Sequence, residues 1–105
     1  MQNMPHKIYY LEKAQEDLES ILDFIAQDSL ERAQNYLQFL QIAISKLATF
    51  PKLGVSCKRK YIRRDRRILI IEEYLVFYKI DEISLTITIG RILHRSVNYK
   101  SDQIF

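Results

Sequence analysis

The stretch Leu75-Val76-Phe77-Tyr78-Lys79-Ile80 constrains the fold more than any other. It is β-branched and aromatic, and nearly apolar on both parities: Leu75 and Phe77 point one way, Val76, Tyr78 and Ile80 the other. A strand with one wet face alternates, whereas a strand covered on both faces has no need to. Arg67-Ile68-Leu69-Ile70-Ile71 and Leu85-Thr86-Ile87-Thr88-Ile89 flank it, joined by short polar connections. Residues 67–93 therefore read as a three-stranded antiparallel meander with 75–80 in the middle.

The segments before the meander read as cover for it. Lys7 to Leu11 has the makings of a short edge strand. Ala14, Leu18, Ile21, Leu22 and Ile25 then recur at helical spacing, with Glu12, Glu16, Glu19 and Asp23 mostly off that face and Phe24 widening it. Asp28 is placed to cap a second helix, with Glu31 three residues on. That helix carries Leu30, Ala33, Leu37, Leu40, Ile44 and Leu47, flanked by Tyr36, Phe39 and Ala43, and Pro51 with Gly54 ends it. A connection this short makes the helices an antiparallel hairpin. Each apolar stripe is wider than a partner helix can cover, so the pair also packs on the sheet. The expected class is α+β: an N-terminal helical hairpin on a small antiparallel β-sheet, one domain over residues 1–105.

Charge divides the chain. Residues 1–57 hold five Lys/Arg against seven Asp/Glu, and residues 58–105 hold eleven against six. The asymmetry points the second half at an anionic partner. A single cysteine, Cys57, rules out an internal disulfide and suits a reducing compartment. With no signal-like or membrane-length apolar run, a cytoplasmic protein is expected.

Most of the excess charge lies in one connector, from Lys58 to Arg67, with seven cations around Asp65. Lys58, Arg59, Arg63, Arg64 and Arg66, with Arg95 beyond the meander, are the candidate target-binding residues. Such a cluster suits phosphate contact or an acidic protein partner, and Tyr61 within it is a candidate for base stacking. No P-loop or zinc spacing occurs, so no metal or cofactor is expected. His94 sits where the last strand ends, beside Arg91 and Arg95 and five residues before Tyr99. A titratable imidazole among cations is what a metal-independent ribonuclease needs, with Glu72 or Glu73 as a possible base. The alternative is a structural histidine hydrogen-bonded to backbone. Cys57 and His6 carry no comparable pattern, and residues 100–105 show none.

The order of elements and several motifs resemble the RelE/ParE superfamily of toxins from type II toxin–antitoxin modules, over residues 8–99. The motifs are Ala14-x-x-Asp17-Leu18-x-x-Ile21-x-x-Phe24-Ile25, Leu47-x-x-Phe50-Pro51-x-x-Gly54, Tyr74-x-Val76-Phe77-Tyr78-Lys79-Ile80 and Arg91-Ile92-Leu93-His94-Arg95. The resemblance implies a small toxin neutralised by a cognate antitoxin that wraps the helices and the open sheet edge. RelE-like members cut messenger RNA on the ribosome, whereas ParE-like members poison DNA gyrase. Many RelE-like enzymes place an arginine after the tyrosine that opens the central strand, and here that position is Leu75. The long helical hairpin and the segment from Ile92 to Asn98 look more like ParE. The expectation is a gyrase inhibitor that is not an enzyme. The alternative is a ribosome-dependent endoribonuclease using His94, Arg91, Arg67 and Tyr99. Composition by itself leads to neither target.

Overall fold

A computed structural model describes residues 5–56, 66–99 and 104–105. In chain order the elements are β1 (Lys7–Tyr10), α1 (Glu12–Ala26), α2 (Leu30–Ser45), β2 (Val55–Ser56), β3 (Arg66–Ile71), β4 (Tyr74–Asp81) and β5 (Thr86–His94). Two short 3-10 turns, Lys46–Ala48 and Pro51–Leu53, carry the chain from α2 to β2. The sheet order is β1-β5-β4-β3-β2, which puts β4 at the centre. The meander is antiparallel, as its pattern requires. β1 joins the far side of β5 in parallel, so the whole sheet is mixed. The two-residue β2 lay unread within the connector, because a strand that short has no periodicity to detect.

Alternation along β4 sends Tyr74, Val76, Tyr78 and Ile80 to the helix side, where they meet Leu69 and Ile71 of β3 and Ile87, Ile89 and Ile92 of β5. Ala14, Leu18 and Ile21 of α1, Leu40 and Ile44 of α2, and Leu47 close over them. Each fully buried leucine or isoleucine contributes about 1.5–3 kcal/mol, so this helix–sheet layer dominates stability. Of the stripe residues outside it, Phe24 and Leu30, 73% and 65% exposed, flank the hairpin bend.

The restart of the second helix is one residue later than expected. Asp28 donates its backbone N–H to the Ile25 carbonyl and so still belongs to the closing turn of α1. Ser29 takes the extended backbone of a cap, and its Oγ accepts from Arg32 N at 3.1 Å. Among the described residues no helix is long and apolar enough to cross a membrane.

Between β4 and β5 the register slips: Tyr78 faces Ile89, whereas Phe77 faces Arg91, leaving Gly90 as the extra residue of a β-bulge. Simple alternation from the buried Ile89 would aim Arg91 into the core. The bulge instead sets it opposite Phe77, off the helix-facing side. Glycine is needed here for approach, not for backbone angle. A Cβ at position 90 would lie 2.6 Å from the Ile104 carbonyl oxygen and 2.6 Å from the Phe105 ring. Residues 104–105 thus lie on the outer sheet face, with Ile104 buried. They and Tyr99, whose ring meets Phe77 at 4.7 Å edge-on, supply the second cover that the apolar central strand demands.

Candidate functional site

Two of the expected functional residues, Arg91 and Arg67, are held by hydrogen bonds that shape the fold, and a third, Tyr99, by ring packing. Arg91 makes a two-pronged ion pair with Asp17 of α1, Nε to Oδ2 at 2.8 Å and Nη2 to Oδ1 at 3.0 Å. Asp17 Oδ2 also accepts Ile92 N–H at 2.9 Å, at a part of β5 beyond its pairing with β1. The carboxylate therefore satisfies a backbone donor that a longer β1 would otherwise meet. Hydrogen bonding to Asp17 raises the Arg91 pKa above its ordinary value, partly offset by burial.

Arg67 lies on the helix-facing side opposite Tyr78. Its Nη1 donates to the Gly54 carbonyl at 2.6 Å and, more weakly, to that of Lys52 at 3.5 Å. The buried Tyr78 hydroxyl donates to Pro51 O at 2.6 Å and accepts from Gly54 N at 2.9 Å. Arg67 and Tyr78 together pin the 51–54 turn. Tyr99, on the opposite face, packs on Phe77.

His94 sits elsewhere again, opposite Tyr74 on the helix side at the end of β5. Its Nδ1 is 2.7 Å from Ser96 Oγ and accepts from Ser96 N at 3.2 Å. A neutral ring held in this way carries its proton on Nε2, which is 3.9 Å from Glu73. His94 meets the Tyr74 ring edge-on at 5.5 Å; Tyr74 lies 6.0 Å from Tyr36, and Tyr36 5.7 Å from Phe39. The result is a row of rings from β5 across β4 to α2, edged by the β3–β4 turn. Tyr36 Oη is 3.5 Å from Glu72 Oε2. Burial, then the Glu72 charge, raises the Tyr36 pKa to about 12. Glu72 itself has φ of 52°, a left-handed backbone that usually calls for glycine or asparagine. Arg95 leans on Glu73 at 3.7 Å through its side chain and at 2.8 Å through its backbone N–H.

Of the expected target-binding cations, Lys58, Arg59, Arg63 and Arg64 lie outside the described residues, as do Cys57 and Tyr61. Arg66 is on the outer face, its guanidinium carbon 4.1 Å from the centre of the Phe105 ring. Arg95 is exposed at the other end of the sheet. The parts named for a ribonuclease thus divide among a helix contact, a turn anchor, a sheet end and the outer face. Sequence reasoning overlooked Asp17 as the partner of Arg91 and Tyr36 as the partner of Glu72. Only helix docking brings residues so far apart in sequence together. Among the described residues no group of histidine, cysteine and carboxylate side chains is arranged to hold a metal.

A second surface is apolar. A groove of about 530 Å³ runs between α2 and β3, lined by Phe39, Ala43, Lys46, Leu53, Val55 and Ile70 among others. β2 pairs only with Ile68 and Arg67, so among the described residues no strand covers the β3 edge from Leu69 to Ile71.

The comparisons with known proteins agree with this architecture. No curated protein matches the chain in sequence. Among solved structures, the chain resembles one from the RelBE2 toxin–antitoxin complex of Mycobacterium tuberculosis, with TM-score 0.62 and 21% identity. That match covers 87% of this chain and 99% of the other. It also resembles one from the chromosomal ParDE system of P. aeruginosa, with TM-score 0.70 and 19% identity, covering 88% and 98%. Likeness at such identities establishes the fold. A family model described as the ParE toxin of type II toxin–antitoxin systems matches residues 8–99, nearly the whole sequence. The chain belongs to that family, within the RelE/ParE toxin superfamily.

Proposed function

We propose that this toxin acts by binding and inhibiting DNA gyrase, without catalysis, and that a cognate antitoxin neutralises it. The observation that carries the non-catalytic part is the dispersal of His94, Arg91, Arg67 and Tyr99. Arg91 is spent on Asp17 and Arg67 on the Gly54 carbonyl, while Tyr99 and His94 lie on opposite faces of the sheet. Phosphodiester cleavage needs an acid, a base and cations converging within hydrogen-bond reach of one phosphate. Gyrase as the target rests on the resemblance to the ParE branch, in keeping with the ParE toxin family that the chain matches, and on Leu75 standing where many RelE-like enzymes place arginine. Purified toxin added to a gyrase supercoiling reaction is expected to inhibit it and to leave message on translating ribosomes intact. Codon-specific cleavage with supercoiling unaffected would reverse this reading.

One observation favours the ribonuclease instead: His94 presents Nε2 toward Glu73 beside Tyr74 and Arg95, an acid–carboxylate–cation group on one sheet end. In that case His94→Gln would abolish message cleavage on the ribosome, with mRNA as substrate.

For the antitoxin, the α2–β3 groove and the adjoining β3 edge form the docking surface. An extended segment would pair with Leu69 to Ile71 and seat apolar side chains beside Ile70 and Phe39. Exposed Phe24 and Leu30 extend the apolar surface to the helical hairpin. Acidic antitoxin residues would meet the basic connector, so charge reversal at Arg63, Arg64 and Arg66 is expected to weaken the complex at low salt.

A further inference from the structure

The groove between α2 and β3 carries opposite charges at its two ends. α2 lines it with Phe39, Ala43 and Lys46, four and three residues apart and so on one helical face. β3 lines it from Ile68 to Ile71, and Glu72 follows at the strand's end. Tyr36 Oη lies 3.5 Å from Glu72 Oε2, which sets the first half of α2 beside the β3–β4 turn. Lys46 ends the helix, and the chain from it returns through the 51–54 turn to Val55, which pairs with Ile68. α2 and β3 therefore run in opposite directions, with Glu72 at one end of the groove and Lys46 at the other.

The lining between these charges is apolar. Both side chains are exposed, and among the described residues neither has an ion-pair partner. The contact of Glu72 with the Tyr36 hydroxyl is at the outer limit of a hydrogen bond. Glu72 also holds a left-handed backbone that glycine or asparagine adopts at less cost. What glutamate adds there is its charge.

The span between the charges defines what fits. Ten residues of helix separate Tyr36, beside Glu72, from Lys46, a rise of about 15 Å. Four steps of an extended chain cover about 13 Å, and long charged side chains reach the rest. An even number of steps puts both end side chains, and the one midway, on the same face of a strand. We propose that the groove takes one extended antitoxin segment in a fixed polarity. Lys or Arg lies against Glu72 and Asp or Glu against Lys46, four residues apart, with an apolar residue midway between Phe39 and Ala43. No strand among the described residues carries opposite charges four apart, so a second copy of this chain does not meet the pattern. A nucleic-acid strand would satisfy Lys46 and be repelled by Glu72. The inference rests on the antitoxin reading of the groove and adds the sequence pattern that the groove selects.

Two measurements test it. In isothermal titration with the cognate antitoxin, Glu72→Gln and Lys46→Gln are each expected to weaken binding about tenfold at low salt. Most of that difference should vanish at high salt, which a merely structural role would not produce. In the second measurement, a displayed library of random nonapeptides is selected on the immobilised native chain. The selected peptides are expected to carry cation and acid four residues apart in one order. Selection on the double variant Glu72→Lys, Lys46→Glu should return the opposite order, because pairing with β3 fixes the direction of the segment while the charges fix its order. The same order from both, peptides without charges at that spacing, or full antitoxin affinity in both single variants would overturn the proposal. The two readings fail separately. Native affinity in Ile70→Lys removes the docking surface and this inference with it, whereas a loss in Ile70→Lys alone, with Glu72→Gln and Lys46→Gln unaffected, removes only the polarity.

Discussion

Asp17 shows how much one carboxylate can do on this scaffold. It holds both prongs of the Arg91 fork and the Ile92 N–H, with side chains only 14% and 23% exposed for Asp17 and Arg91. Hydrogen bonds to charged groups contribute about 1.5–3 kcal/mol each. Asp17→Ala is therefore expected to lower unfolding free energy by about 3 kcal/mol and Arg91→Ala by about 2 kcal/mol, read from urea denaturation. The double variant should cost less than the sum, because the two residues share one interaction. Tyr36 makes a pH prediction. Its hydroxyl pKa is about 12 in the fold against about 10 in an unfolded chain, so folding favours the protonated form. The contribution is complete below about pH 10 and is lost as pH rises toward 12. Thermal melts across that window should fall more steeply for the native chain than for Tyr36→Phe.

At the scale of elements, two tight approaches join the layers. Tyr78, fully buried on the central strand, reaches through the core to bind Pro51 O and Gly54 N. Tyr78→Phe keeps the ring and leaves both groups without that partner. A loss of about 2 kcal/mol is expected, with faster amide exchange at Gly54. On the opposite face, Gly90→Ala places a methyl group where Ile104 and Phe105 lie. Overpacking of this kind costs about 1–3 kcal/mol. Because the clash is with residues 104–105 and not with the meander, its effect should concentrate there. Hydrogen exchange is expected to rise around Ile104 while β4 amides stay protected.

Taken whole, the described residues present three surfaces with different chemistry: an apolar groove beside the β3 edge, a ring-and-carboxylate cluster at the sheet end, and an outer sheet face that carries Arg66 and Lys79. They are separated by the sheet and the helix layer, so a substitution on one should leave the others intact. Ile70 is 60% exposed and lines the groove. Ile70→Lys is thus expected to weaken antitoxin affinity at least tenfold while shifting the melting temperature little. Isothermal titration beside a thermal melt would check both. Equal loss of stability and affinity would mean that Ile70 serves the fold and not the partner.

The elements themselves were legible along the chain. The apolar double parity of 75–80 announced a strand dry on both faces, and the three- and four-residue steps of α1 and α2 announced helices that pack on it. Periodicity is a local property, readable without knowing what lies opposite. What dries the second face was not readable, because Ile104 and Phe105 belong to a segment with no period of its own. Nor was the direction of β1, since a four-residue strand pairs either way until its neighbour is set. The fate of the arginines was likewise a tertiary decision. Arg67 and Arg66 are adjacent in sequence, yet alternation sends one to a turn carbonyl and the other to an aromatic ring. Arg91 escapes the core only because Gly90 slips the register. Charge composition says that cations are present; only the pleat, the bulge and the docked helix decide which of them remain available to a partner.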